Sequence, residues 1–312
     1  MKIRTRLVGV TVLSAMLFVV LAAPRARAQE ALPEVVKEAE QYFPPGTIRI
    51  EYSNSAKLRK LPNYATLKQR YLGPELQHLL QSLSKVGIRD DEVDELALGW
   101  DGAGSEMALF GLAEGRFDAK GIAARAAAAG IESQPVADHS AWCFSAEMCV
   151  VVLTNSRGVF GPPRALESIL QAQAGTGVAL APDSRLRTML SEARPATPIW
   201  GVATNAAVAD WFRTSMPSQD NMQLDWSQAF STVEALAYSV DAAEKVSLEV
   251  KLDCATPEAA NNLHQVLNGL RAFQQLAWQK QHPNEPNPFE AVQVDSAGQR
   301  VDLKLTTPYP TA

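Results

Sequence analysis

Two cysteines lie close enough in the sequence to bond to each other across a tight turn. Cys143 and Cys149 flank a five-residue segment, and a hairpin centred on Ala146 would place them directly opposite each other on neighbouring strands. Opposed residues of a non-hydrogen-bonded antiparallel pair are near enough for a disulfide. The sequence therefore predicts a Cys143–Cys149 bridge that closes a small loop and stabilises the fold by about 2 kcal/mol or less. Cys254 is then left over, and we interpret it as a buried free thiol.

The same segment holds the candidate for a nucleophile. His139 and Cys143 are four residues apart on a predicted strand, so their side chains point to the same side. A histidine beside a cysteine can generate a thiolate, and an exported hydrolase or thiol enzyme using these residues is the alternative function. No third, orienting group is identifiable, and a structural bridge accounts for both cysteines.

An anion site is the next candidate. Residues 157–164 (RGVFGPPR) lead into a predicted helix, where free N–H groups together with Gly158, Gly161 and Arg164 could meet a phosphate or carboxylate. The spacing matches neither the P-loop nor the dinucleotide-binding fingerprint. A strand-to-helix turn is the favoured interpretation.

Acidic and glycine-rich segments between residues 90 and 115 raise the question of a calcium or phosphate loop. The acids of residues 90–95 (DDEVDE) lack the alternation, central glycine and closing glutamate of an EF-hand. GWDGAG at 99–104 is interpreted as a hairpin turn, because the counterpart segment at 241–245 keeps the aspartate but has no glycine. His139, His264 and His282 show no metal-binding spacing, so we expect no metal and no cofactor.

The N-terminus predicts export. Residues 1–28 combine a basic start, an apolar run over 7–23 and the small residues Ala26 and Ala28 before a cleavage point. This is the layout of a cleaved secretory signal. We expect cleavage after Ala28, a periplasmic or secreted protein, and no stable membrane insertion once the signal is removed.

Charge narrows the range of partners. Five of the 29 basic residues lie in the leader, so the mature chain has 24 against 34 acidic residues and a net charge near −10. Proteins that bind nucleic acids or anionic membranes use clustered Lys and Arg side chains to neutralise the phosphate groups. We therefore expect no nucleic-acid partner, and an unknown protein or small ligand instead.

Two segments about 140 positions apart show the same order of predicted elements. The first has strands within 93–115, a helix capped by Asp118 and strands within 133–155. The second has strands within 233–254, a helix capped by Thr256 with Pro257 at its first position, and strands within 289–305. VDELA at 93–97 also aligns with VEALA at 233–237. We predict the α+β class, with two ββαββ (ferredoxin-like) repeats, mainly antiparallel sheets and helical insertions.

The remaining segments set the boundaries. Apolar spacing predicts helices at 33–42, 74–87, 163–174, 183–193 and 206–212, and strands at 48–52 and 198–203. The polar segment 216–228 predicts a connecting loop. The expected organisation is a signal peptide (1–28), N-terminal helices and strand (29–89), a first repeat with a helical insertion (90–215) and a second repeat (216–312).

The pattern resembles a group of uncharacterised exported proteins from environmental bacteria, built from duplicated ferredoxin-like α+β units. The likeness lies in Asp91 with the VDELAL strand, GRFD at 115–118, Ile199-Trp200 and CATPEAA at 254–260. This resemblance implies fold and export, and carries no activity with it. Since acids and histidines are scattered while strand and cap signals agree, we expect a non-enzymatic binding or scaffold protein of the cell envelope, and the sequence leaves open whether the two repeats share one continuous sheet.

Overall fold

The computed structural model of the protein describes residues 31–61, 64–65, 74–102, 107–182, 184–190, 196–204, 206–215, 226–243 and 245–307. The predicted leader, its cleavage point and most of the predicted loop at 216–228 lie outside these ranges. The helices are α1 (Glu34–Tyr42), α2 (Ser55–Leu58), α3 (Pro74–Lys85), α4 (Ala119–Ala128), α5 (Pro163–Gln173), α6 (Arg185–Leu190), α7 (Ala206–Ser215), α8 (Trp226–Ala229) and α9 (Pro257–Gln281).

Within the described ranges, twelve strands form one sheet. They are β1 (Thr47–Asn54), β2 (Val93–Asp101), β3 (Ala108–Gly115), β4 (Ser133–Val136), β5 (His139–Ser145), β6 (Met148–Thr154), β7 (Arg157–Gly161), β8 (Ile199–Thr204), β9 (Val233–Asp241), β10 (Val246–Cys254), β11 (Val292–Ala297) and β12 (Arg300–Thr307). Their order is β11-β12-β10-β9-β8-β1-β2-β3-β7-β6-β5-β4, and each neighbouring pair is antiparallel. The fold is therefore α+β with a large antiparallel sheet, and strands from both predicted repeats lie in it.

Helices pack on both sides of the sheet. On the side that we call the α1 face, α1, α5 and α6 bury apolar side chains such as Val36, Leu166 and Leu190 against β1, β2, β3, β6 and β8. On the opposite side, the α9 face, α3 and α4 cover the first half of the sheet, β1–β7, and α7 and α9 cover the second half, β8–β12. Side chains alternate between the faces along each strand, as in β1, where Ile50 and Tyr52 enter the α1-face core.

The predicted caps are present. Asp118 begins α4, and its Oδ1 accepts a hydrogen bond from Gly121 N at 3.0 Å. Thr256 begins α9, and its Oγ1 accepts from Ala259 N at 3.1 Å, with Pro257 at the first helical position. At the predicted hairpin turn, Asp101 Oδ1 accepts from Gly102 N at 2.7 Å and Gly102 has φ 89°, while residues 103–106 lie outside the described ranges.

The region after α4 differs from the prediction of two strands. Residues 133–144 are split into β4 and β5 by a turn at Ala137, which has φ 48°. Residues 157–161, interpreted as part of a strand-to-helix turn, form β7 between β3 and β6. Glycines lower the strand propensity of this segment, but two neighbouring strands satisfy its backbone, so the sheet imposes the strand.

We expect Thr256→Ala to lower the free energy of unfolding by about 1 kcal/mol, because an N–H group at the start of α9 loses its acceptor. Urea denaturation of the two proteins measures the difference. Thr256→Ser keeps the hydroxyl and should stay within a few tenths of a kcal/mol of the parent. Equal losses in both variants would show that packing, not the cap, stabilises this helix end.

Candidate binding surface

One part of the sheet carries a polar face. On β10, Val250 and Leu252 point to the α9 face and enter its core, so Glu249, Lys251 and Asp253 point to the α1 face. The adjoining strands continue the pattern, and we call the combined area the open sheet face. It consists of side chains that are exposed or half-buried: Glu249, Lys251, Asp253, Gln293, Asp295, Arg300, Asp302 and Lys304.

Charges on the open sheet face are arranged in cross-strand pairs. Lys251 lies opposite Asp302, and Glu249 lies opposite Lys304. Asp253 Oδ1 accepts from Arg300 Nε at 2.9 Å. Opposite charges on facing strands stabilise the pairing, so most of this surface is internally compensated.

The exception lies at the edge of the sheet. Asp295 on the edge strand β11 is opposite Asp302 on β12, and the two carboxylates point to the same face. Asp295 is exposed and Asp302 is half-buried. Like charges directly opposite each other are unfavourable, and a cationic group placed between them would relieve this repulsion. The arrangement is suited to recognise a positively charged group.

The border of the open sheet face is also defined. Arg185 of α6 donates to Asp253 Oδ2 at 3.0 Å, which ties the last helix of the α1 face to β10. Sequence reasoning assigned β10 and β12 as strands but did not single out their polar residues. The signal was available, because strict alternation of polar and apolar residues in VSLEVKLDC is typical of a strand that is covered on one side only.

A second polar cluster lies at the centre of the α9 face. Arg49 on β1 contacts Glu51 Oε2 through Nη2 at 2.7 Å and Tyr238 Oη at 3.0 Å, and Tyr238 donates to the same carboxylate. The guanidinium carbon of Arg49 lies 4.0 Å from the Trp100 ring centroid. We call these four residues the central ion cluster. It links β2 to β9 across β1 and β8.

Packing explains why this cluster fits in the sheet. Gly201 on β8 lies between Glu51 and Tyr238 in the pairing register, and a Cβ there would fall 2.6 Å from the Tyr238 ring. Arg49 and Glu51 have side chains only 15% and 13% exposed. Burial raises the pKa of Tyr238 well above its ordinary value, so the phenol stays a neutral donor. The cluster is therefore a fixed structural connection between β1 and β9.

The predicted disulfide is confirmed. Cys143 and Cys149 are paired residues of β5 and β6, and their sulfurs are bonded at 2.01 Å. Cys143 is therefore not a free thiol, and His139 is exposed at the start of β5. Since a strand rises about 3.3 Å per residue, four residues separate His139 from Cys143 by roughly 13 Å. The structure does not bring the two residues of the thiol alternative together.

The three residues of the predicted anion site lie in the sheet or on the protein surface. Gly158 and Gly161 belong to β7 and are buried, and a Cβ on Gly161 would fall 2.6 Å from Phe110 Cβ. Helix α5 begins with Pro163, which has no N–H to offer, and Pro162 precedes it. Arg164 is exposed. The two glycines are packed within the sheet and Arg164 is exposed, so the three residues do not form a common anion-binding site.

Cavities in the described part of the chain border the first half of the sheet. An apolar crevice of about 40 Å³ lies between α3 and the α9 face, lined by residues such as Leu83, Phe117 and Phe160. An open groove of about 570 Å³ lies beside the disulfide, with Lys85, Glu132 and Phe144 among its lining residues. Among the described residues, neither lining includes a histidine.

The other candidate groups have structural surroundings too. Cys254 is buried in the α9-face core, where burial raises the pKa of its thiol. The acids of residues 90–95 have protein partners: Asp91 accepts from Arg89 at 3.0 Å, Asp94 from Arg59 at 2.8 Å and Glu95 from Asn54 at 2.9 Å. Within the described ranges, no group of three or more His, Cys, Asp or Glu residues is arranged to hold a metal ion. No helix in these ranges combines the length and apolarity needed to cross a bilayer.

Thiol titration tests the disulfide. We expect one reactive thiol per chain in denaturant without reductant, from Cys254, and three after reduction. Without denaturant, Cys254 should react slowly because it is buried. Three thiols in the unreduced denatured protein would contradict the bridge.

Arg49→Met should lower the free energy of unfolding by about 3 kcal/mol or more, because Glu51 is left buried without its charge partner. Chemical denaturation measures the loss. Arg89→Met is the matched control, since Arg89 is 69% exposed and its ion pair with Asp91 is screened by solvent, so the loss should be much smaller. The double variant Arg49→Met/Glu51→Leu should recover part of the loss, because the unpaired carboxylate is removed as well. If Arg49→Met lowers the free energy of unfolding no more than Arg89→Met does, the central ion cluster does not stabilise the sheet.

Comparison with known proteins adds information on the fold. No protein-family model matches the chain, and no curated protein matches it in sequence. The chain is similar to solved structures of TP0453: crystal form III aligns with a TM-score of 0.51 and 11% identity over 86% of this chain and 93% of that chain. Crystal form I gives a TM-score of 0.48 at 10% identity over 86% and 92% of the two chains. At this identity the likeness to crystal form III shows a shared α+β fold and nothing about activity.

Proposed function

We propose that the protein is an exported, non-enzymatic binding or scaffold protein of the cell envelope, and that the open sheet face is its binding surface. The observation that carries the proposal is the difference between the two halves of the sheet. The first half has helix-covered cores on both faces, whereas the second half presents charged side chains of β10, β11 and β12 on the α1 face. A polar area of this kind is suited to recognition by charge.

The chemistry of this surface favours a partner with a basic group. Asp302 faces Lys251 on one side and Asp295 on the other, so Asp295, on the edge strand, has no opposite charge directly facing it. A lysine or arginine of a protein partner, or the ammonium group of a small ligand, would sit between the two carboxylates. Such contacts contribute specificity and association rate more than affinity.

Two observations support the proposed periplasmic or secreted location. The leader at residues 1–28 has the composition of a cleaved signal. The Cys143–Cys149 bridge is a form of cysteine that persists in oxidising compartments. The proposed partner is accordingly a component of the cell envelope or of the medium outside it.

We also propose that the chain arose by internal duplication of a ββαββ unit. Outward from the centre, one half of the sheet runs β1-β2-β3-β7-β6 and the other runs β8-β9-β10-β12-β11. In both halves a helix connects the third and fourth of the shared strands in the chain, α4 in one and α9 in the other, with β4 and β5 as an additional hairpin after α4. The same order of connections on both sides of the centre supports the duplication.

Site-specific photo-crosslinking tests the binding surface. A photoreactive amino acid at Gln293, which is exposed on the open sheet face, should yield an adduct in the cells that export the protein. The matched control is Gln173, an exposed residue of the same type on α5. We expect an adduct from position 293 and none from position 173.

Charge reversal then tests the chemistry of recognition. Asp295→Lys should reduce the adduct from position 293 by about tenfold or more, the effect of losing roughly 1.4 kcal/mol of interaction. Mass spectrometry of the adduct identifies the partner. Equal adducts at both positions, or an adduct that Asp295→Lys leaves unchanged, would refute the proposed surface.

A further inference from the structure

Helix α9 carries an unusual concentration of exposed apolar side chains. Four large hydrophobic residues are strongly exposed among those the structure describes, and three lie on α9: Val266 (43%), Phe273 (50%) and Leu276 (68%). Single exposed apolar residues are ordinary on protein surfaces, but clusters mark interaction sites. The clustering therefore calls for an explanation beyond chance exposure.

The inner side of α9 is firmly attached, so this exposure is a property of the folded protein. Leu263 and Leu267 are buried in the α9-face core. Further along, Arg271 Nη1 donates to Val292 O at 3.0 Å and Gln275 Nε2 donates to Phe289 O at 3.1 Å. The outer side is consequently presented in a fixed orientation.

The outer residues have the spacing of a coiled-coil seam. Positions 262, 266, 269, 273, 276 and 280 follow intervals of four, three, four, three and four residues, the a/d pattern by which one helix packs against another. We call the residues at these positions the α9 seam: Asn262, Val266, Gly269, Phe273, Leu276 and Lys280. All six are exposed.

The α9 seam is complementary to itself in the antiparallel direction. If two copies pair about an axis at residue 271, Val266 of one lies opposite Leu276 of the other, and Asn262 lies opposite Lys280. Gly269 then lies opposite Phe273. A Cβ at Gly269 would meet nothing within 4 Å, so there is open space to receive the ring. Each contact occurs twice, as a two-fold interface requires.

Charge favours a second copy over other occupants. From residue 259 to 279 the exposed side chains of α9 are uncharged, the polar ones being Asn261, Asn262, Gln265 and Gln279. Two copies that meet along this stretch therefore bring no like charges into direct contact. A helix that lies on a membrane surface instead carries Lys and Arg along its polar side, and these are missing from the exposed stretch.

We propose that the protein forms a two-fold dimer through antiparallel packing of the α9 seam, with the Phe273 ring of each copy against Gly269 of the other. The seam from Val266 to Leu276 is about 15 Å long, which is short for a permanent interface. The dimer is therefore weak and depends on concentration. The open sheet face lies on the opposite side of the sheet from α9 and stays accessible in both copies.

Sedimentation equilibrium of the exported, processed protein tests the dimer. We expect a monomer–dimer equilibrium for the parent, and dimerisation about tenfold weaker or more for Phe273→Glu. Gln265→Glu adds the same charge to an exposed position of the same helix outside the seam, and should change the Kd by less than about twofold. A parent that stays monomeric at several hundred micromolar, or equal effects of the two substitutions, would overturn the proposal.

Gly269→Phe separates specific pairing from general stickiness. It adds apolar surface and does not strain the monomer, because the site is open, yet it fills the space that the opposing Phe273 needs. Specific pairing predicts a weaker dimer, while non-specific association predicts a stronger one and would overturn the proposal. Parent protein that floats with neutral phosphatidylcholine vesicles, and loses this binding in Phe273→Glu, would assign the seam to a lipid surface instead and would also overturn it.

Discussion

The pairing of β1 with β8 is the contact on which the rest of the structure depends. Five residue pairs, from Arg49 opposite Ala203 to Ser53 opposite Ile199, join the two halves of the sheet. Without them β1 and β8 would each present an unpaired edge in the interior of the molecule, where unsatisfied backbone groups are costly. The central ion cluster reinforces the β1–β8 pairing. Arg49 and Glu51 of β1 reach Tyr238 of β9 over Gly201 of β8, which has no side chain to obstruct them.

The two halves of the sheet differ in how their faces are covered. Strands of the first half have apolar residues on both sides, such as Leu98 on the α9 face and Ala97 on the α1 face of β2, because helices cover both sides. Strands β10 and β12 alternate polar and apolar residues, because α9 covers one side and charged pairs face the other. The molecule thus offers two surfaces of opposite character, a charged one on the sheet and an apolar one on the outer side of α9.

Local signals predicted local features well. Cap residues Asp118 and Thr256 begin the helices that their side chains indicated, and the spacing of Cys143 and Cys149 predicted their bridge. Strand β7 was missed because its glycines are poor strand formers, and only the neighbouring strands β3 and β6 make the conformation favourable. The central ion cluster was out of reach, since Arg49 and Tyr238 are separated by 189 residues and no local pattern relates them. The alternation of polar and apolar residues along β10 and β12 indicated a polar face of the sheet. Whether helices cover that face or leave it open depends on where the helices pack, which the alternation does not indicate.

The position of β1 affects how the chain can fold while it is being synthesised. This strand is made early and pairs with β2, yet its other neighbour, β8, belongs to the distant part of the chain that also supplies Tyr238. At about 5–20 residues per second, the roughly 150 residues between β1 and β8 take about 8–30 s to synthesise. During that interval a chain that began to fold would hold a central strand with one side unsatisfied, ready to pair with the wrong chain. Keeping the polypeptide unfolded until β8 has been made would remove that hazard.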